Sequence, residues 1–157
     1  MGFRTDAAGM LSLTNEYALR AAVYLAQHGP TGPVPAHRIA EQLGIPPKYL
    51  CSILRNLVRV GVLRASPGKS GGFRMVRSPK EVRLYEVLAP FEAGGAGHVG
   101  CPFGNAVCSD HDPCSGHDRW RRVKREFERF LMDTSVYDVS IQQERRDIDT
   151  PRRRKRA

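Results

Sequence analysis

The stretch IAEQLGIPPKYLCSILRNLVRVGVLRASPGKSGGFRM, residues 39–75, decides how the chain is read. It opens on the end of a short helix that begins near Ala36 and stops at Gly44, a residue suited to the left-handed cap of a helix end. Pro46-Pro47 opens a second helix, because proline is tolerated in a first turn where its missing N–H has no partner to lose. That helix extends to Val60, with Gly61 as its stop. Leu50, Ile53, Leu54 and Leu57 recur at helical spacing and form its buried stripe. Lys48, Tyr49, Ser52, Arg55 and Arg59 lie mostly off that stripe. The period then changes to that of strands. Residues 62–65 and 73–76 flank SPGKSGG, Ser66 to Gly72, whose turn formers predict a hairpin with a flexible tip.

A short helix, a tight glycine turn, a second helix and a glycine-tipped hairpin follow the order of a winged helix-turn-helix. The second helix of such a pair fits the major groove and contacts base edges from its N-terminal turns. Here those turns offer Lys48, Tyr49, Ser52 and Arg55. The hairpin tip offers Lys69, Ser70 and backbone N–H groups at Gly71 and Gly72 that can approach a phosphate closely. Arg38, Arg59 and Arg74 complete the candidate DNA face. A charge run alone is more often a solvated helix face; topology and charge together point to double-stranded DNA.

Outward from this centre, Thr14 is positioned to cap a helix running to about Gln27, apolar at Leu13, Tyr17, Ala21, Tyr24 and Leu25. GPTGPVP then forms a loop. Residues 82–92 predict a short helix. Residues 93–116 are glycine-rich and without period, and a loop of that length in a small domain is usually functional or disordered. A long helix starts at His117 or Asp118 and reaches about Met132, and a further turn follows at Val136–Val139. Its stripe of Trp120, Val123, Phe127, Phe130 and Leu131 is wide enough to pair with its twin across a two-fold axis. Such a dimer presents two reading helices to half-sites about 34 Å apart, as in a palindromic operator. The expected fold is therefore mainly α with a small β wing, in five parts: a disordered extension (1–9), the winged domain (10–92), a cysteine-rich loop (93–117), a dimerisation helix (118–140) and a disordered basic tail (141–157).

The charge follows this division. The chain has 157 residues and a net charge of +9, from 25 Lys and Arg against 16 Asp and Glu. Residues 14–83 hold eleven basic side chains against three acidic ones, while 84–118 hold five acidic and no Lys or Arg. One half is built for a polyanion and the other is not. No apolar run is long enough to cross a membrane. The N-terminus lacks a signal-peptide layout, so a cytoplasmic, nucleoid-associated location without membrane contact is expected. No phosphate loop, nucleophile elbow or HExxH motif occurs, so no enzyme and no small-molecule substrate are expected. A cysteine nucleophile with His111 or His117 as its base would lack a rigid frame.

The acidic block is also the cysteine block: Cys101-x6-Cys108-x5-Cys114-x2-His117. Four cysteines in an unexported chain argue for ligands or reactive thiols rather than disulfides. Thiolates are soft ligands for iron–sulfur clusters, zinc or copper(I), and a flexible loop can wrap several around one centre. Cys108, His111, Cys114 and His117 form an alternative zinc set, although three spacers of two residues are cramped. Bare redox thiols are a third reading. Cys51, in the proposed reading helix, is a small residue near the core.

LTNEYALRAAVYLA at 13–26, the stretch 39–75, the triple cysteine and HDRW at 117–120 occur together in one family. From about Met10 to Val139 the chain resembles the Rrf-two (Rrf2) family of bacterial winged-helix regulators, whose iron–sulfur members include the IscR and NsrR types. The resemblance implies a homodimer on a palindromic operator. It implies a 2Fe–2S cluster, or a 4Fe–4S one, held by Cys101, Cys108 and Cys114. The fourth ligand is His117 in IscR-like members, or an acidic residue matching the partner subunit's Glu16 in others. Cluster loss or damage by oxidants, nitric oxide or iron shortage would change operator affinity. Two features depart from the pattern. The first cysteine spacing is x6 rather than x5, and Pro67 stands where the family's wing often has arginine, with Lys69 two residues on.

Overall fold

The computed structural model describes residues 11–92, 103 and 109–141. The expected extension over 1–9, the two cysteines Cys101 and Cys108, and the tail from residue 142 lie outside these. Helix α1 spans Leu13–His28, α2 Ala36–Leu43, α3 Pro47–Arg59, α4 Leu84–Leu88 and α5 His117–Asp133. Strands β1 (Leu63–Ser66) and β2 (Gly72–Met75) form an antiparallel hairpin with Arg64 opposite Arg74 and Ala65 opposite Phe73. This is the mainly helical, winged architecture that residues 39–75 predict.

The first cap is Ser12 rather than Thr14. Ser12 has extended backbone and its hydroxyl accepts the Asn15 N–H at 3.2 Å. Thr14 lies inside the helix with its hydroxyl turned to Tyr49. Ala18, Ala21 and Ala22 are fully buried, so their small side chains let neighbouring elements approach the axis of α1 closely. Gly44 closes α2 in the left-handed region (φ 63°), and the next amide, Ile45 N–H, returns to Ala40 C=O at 3.0 Å. A residue with a Cβ is strained there. The turn aims Ile45 into the core and sets α3 against α2.

Leu50, Ile53, Leu54 and Leu57 are each at most 1 % exposed and join α1, α2, β1 and α4 in one apolar cluster. Burying such side chains contributes about 1.5–3 kcal/mol each. The strands sit one residue away from the expected 62–65 and 73–76. The Val62 N–H is taken by Leu57 C=O (3.0 Å) to finish the end of α3, so the ladder starts at Leu63.

Two further pairings were not visible in the spacing. Val34, within the GPTGPVP loop, exchanges both backbone hydrogen bonds with Phe73 at 2.9 Å, which adds a third short edge to the wing. The segment expected as one helix over 82–92 is divided. Val82 and Arg83 are extended, because Val136 N–H donates to Val82 C=O (2.9 Å) and Leu84 N–H to Thr134 C=O (3.0 Å). α4 is then short, and Pro90 continues it only as a 3-10 turn over Ala89–Phe91. After α5 the chain breaks at Thr134, and residues 136–141 are helical again. Leu131 and Val136 anchor this end of the molecule on the core, at 2 % and 0 % exposure. No described helix is long and apolar enough to cross a membrane.

Candidate nucleic-acid interface and cysteine–histidine loop

α3 presents Lys48, Tyr49, Ser52, Arg55 and Arg59 to solvent, opposite its buried stripe. Arg38 on α2 is exposed as well. Arg55 folds back along its helix, Nε donating to Cys51 C=O at 3.2 Å. Tyr49 is more engaged than the sequence implies. Its hydroxyl bonds the Thr14 hydroxyl, and its ring meets Tyr17 edge-on at 5.7 Å. Arg20 lies over the other ring of that pair, 5.8 Å from the Tyr17 centroid. Cys51 is a half-buried free thiol beside the stripe.

Lys69 and Ser70 are exposed at the tip of the wing. The Gly71 N–H, expected to be free for a phosphate, instead donates to Gly68 C=O at 2.9 Å and closes the tip turn. Gly72 serves packing: a Cβ there would stand 2.4 Å from the Val34 carbonyl. The pairing also brings out a residue the sequence reading missed. Arg64 faces Arg74 directly across the hairpin, and the Arg74 Nε is buried with no hydrogen-bond partner among the described residues. Like charges in directly opposed positions are destabilising unless an anion lies between them. Alternation along the strands, with the register known, is the signal that would have found Arg64.

The other candidate site lies at the start of α5. The backbone N–H of His117 donates to Cys114 C=O at 3.0 Å, so the two side chains leave one tight turn. Cys114 is half-buried and His117 is 6 % exposed. His117 Nε2 donates to Asp110 Oδ1 at 2.8 Å, and Arg121 Nη1 donates to the same oxygen at 2.9 Å. These bonds hold the Asp110 carboxyl below its usual range, the His117 hydrogen bond first and the Arg121 charge next. A carboxylate that orients a histidine in this way is the usual outer partner of a metal-bound imidazole. The thiol and imidazole of this turn therefore suit two of the ligands of an iron–sulfur centre. Among the described residues no group of three such ligands is assembled. Glu16, the alternative ligand, is exposed and lies 3.7 Å from Arg20 of its own helix.

The apolar stripe of α5 is divided. Leu131 and Phe127 pack on the chain's own core. Val123 and Phe130 are 45 % and 48 % exposed, and Phe130 borders a groove of about 560 Å³ with Leu19, Val23, Leu84 and Val139. Trp120 is half-buried, with its indole N–H buried and lacking a partner among the described residues.

A family model described as "Rrf2: Iron-dependent Transcriptional regulator" matches residues 11–141. The chain is 27% identical over 134 residues to the HTH-type transcriptional regulator IscR of Aliivibrio salmonicida, covering 85% of this chain and 79% of that protein. Its fold is similar to that of IscR from T. potens, with a TM-score of 0.68 and 23% identity over 85% of this chain and 87% of that one. It is also similar to CymR, the global cysteine regulator of B. subtilis, with a TM-score of 0.70 and 18% identity over 84% of this chain and 96% of the other.

Proposed function

The chain belongs to the Rrf2 family of transcriptional regulators, and from that premise we propose that it is a homodimer whose operator binding is set by an iron–sulfur cluster in the cysteine loop. The observation that carries this reading is the Cys114–His117 turn with its Asp110 partner, joined through the sequence to Cys101 and Cys108. Cys101, Cys108, Cys114 and His117 would hold the cluster, a 2Fe–2S form first and a 4Fe–4S form second. The partner subunit's Glu16 is the other candidate for the fourth position. When bound, the cluster supplies reversible one-electron chemistry and reactivity toward oxidants and nitric oxide.

The protein's own residues supply the rest. Lys48, Tyr49, Ser52 and Arg55 face the major groove. Lys69, Ser70 and the Arg64–Arg74 pair take phosphates flanking it, with Arg38 and Arg59 alongside. A phosphate between Arg64 and Arg74 relieves their repulsion, so this contact is worth more bound than free. Val123 and Phe130, with Trp120, Phe127 and Leu131 behind them, meet the second copy. The two reading helices then address the halves of a palindrome, in the cytoplasm. DNA binding and loop occupancy are linked reciprocally, each shifting the affinity of the other.

Purification without air, with iron and sulfide analysis and a visible spectrum, tests the proposal. Brown protein whose colour is lost in Cys108→Ser and Cys114→Ser is expected. Colourless, iron-free protein that binds its DNA normally would overturn the cluster. The half-buried side chain of Cys114, in one turn with His117, supports a second reading, a zinc- or thiol-based sensor on the same scaffold. Zinc release on thiol modification, in iron-free protein, distinguishes it.

A further inference from the structure

Glu92 stands directly before the cysteine segment, and its carboxylate accepts a hydrogen bond from the Asn15 side-chain amide of α1, 77 residues away in sequence. Asn15 is 4 % exposed, and its own Oδ1 is buried without a partner among the described residues. A buried amide with half its capacity unmet is costly, and the Glu92 bond is what offsets part of that cost. A purely structural role would end there, with Asn15 holding the root of the loop. The neighbouring residue extends the connection. Thr14 bonds the Tyr49 hydroxyl in the first turn of α3, and Tyr17 packs edge-on against the same ring at 5.7 Å.

The first turn of α1 is itself fixed, with Asn15 N–H held by the Ser12 hydroxyl (3.2 Å) and Glu16 N–H by Ser12 C=O (2.9 Å). A displacement at Glu92 therefore reaches Tyr49 through a stiff unit. Hydrogen bonds that are made or broken give such a route two discrete arrangements, as coupling between sites requires. We propose that Glu92–Asn15 and Thr14–Tyr49 form a bridge that conveys the state of the cysteine loop to the DNA-facing turn of α3. The proposal rests on the reading of that loop as the sensor.

The test uses the full-length protein, with Glu92→Ala as the breaking variant and Glu92→Gln, which keeps an acceptor oxygen, as the conservative rescue. Tyr49→Phe breaks the far end. Hydrogen exchange of the Leu50 amide, which donates to Pro46 C=O at 3.0 Å at the start of α3, is measured in each, and in the Glu92→Ala/Tyr49→Phe double variant. Glu92→Ala is expected to speed that exchange several-fold, Tyr49→Phe to do the same, the pair to add nothing, and Glu92→Gln to resemble the parent. DNA affinity is measured on a duplex selected by the parent protein from a random pool, with iron-loaded and chelator-stripped samples. In the parent the two samples should differ by roughly tenfold, within the usual range of coupling. In Glu92→Ala they should converge while the visible spectrum is unchanged. Exchange in Glu92→Ala that changes only around residues 89–92, with the parent's loaded-to-stripped ratio intact, would overturn the bridge. A protein that takes up no iron fails the sensor reading instead, and the exchange arm alone then decides the bridge.

Discussion

Asp110 shows how one carboxylate sets a chemically important side chain, since it holds His117 and Arg121 together at 2.8 and 2.9 Å. Its carboxyl is held below the unfolded value, so it stabilises the fold at neutral pH, and this contribution is lost as pH falls through the folded pKa. Asp110→Asn should lower the denaturation midpoint at neutral pH and flatten its acid limb, so that variant and parent converge at low pH. An unchanged acid limb would show that the pair is idle. On the DNA face, Arg55→Ala and Lys69→Ala should each weaken operator binding, with the slope of log affinity against log salt falling by about one where a phosphate contact is lost. Equal affinity and slope in both variants would remove them from the interface. His117 was legible from its spacing to Cys114. Asp110 was not, because many acidic residues surround the cysteines and only the fold shows which one reaches the ring.

Among the elements, the wing depends on Gly72. A Cβ there collides with the Val34 carbonyl, and backbone has no rotamer by which to yield. Gly72→Ala should cost about 1–3 kcal/mol, the range for inserting an atom into a packed site, read as a lower denaturant midpoint. It should also open the Val34–Phe73 pair to hydrogen exchange. A midpoint equal to the parent's would mean that the strand edge is not packed as described. Elements whose ends are decided locally were legible: Gly44 and Pro47 bracket α2 and α3 by their own backbone preferences. The start of α1 was missed because Ser12 and Thr14 are equally good caps in isolation, and the hydroxyl of one is claimed by Tyr49. The length of α4 was missed because Val82 and Arg83 pair with residues more than fifty positions away.

For the whole molecule, the proposed assembly rests on the two sides of α5. Phe130→Asp should leave the fold intact, since Leu131 and Phe127 carry the packing on the chain's own core. It should convert a dimer to a monomer of 17.5 kDa in sedimentation and weaken binding to a two-half-site duplex far more than to a single half-site. A variant that remains dimeric would place the interface elsewhere. The sequence by itself determined the class of the molecule: helix periods, glycine stops, the change of period at the wing, and the division of charge are local properties that each segment carries alone. Tertiary structure decided which residues work together. The Arg64–Arg74 opposition, the Asp110–His117–Arg121 cluster, the split stripe of α5 and the Glu92–Asn15 contact all join side chains by register or by packing. No local preference encodes these, because the partners are distant in sequence and meet only when the shared core has formed.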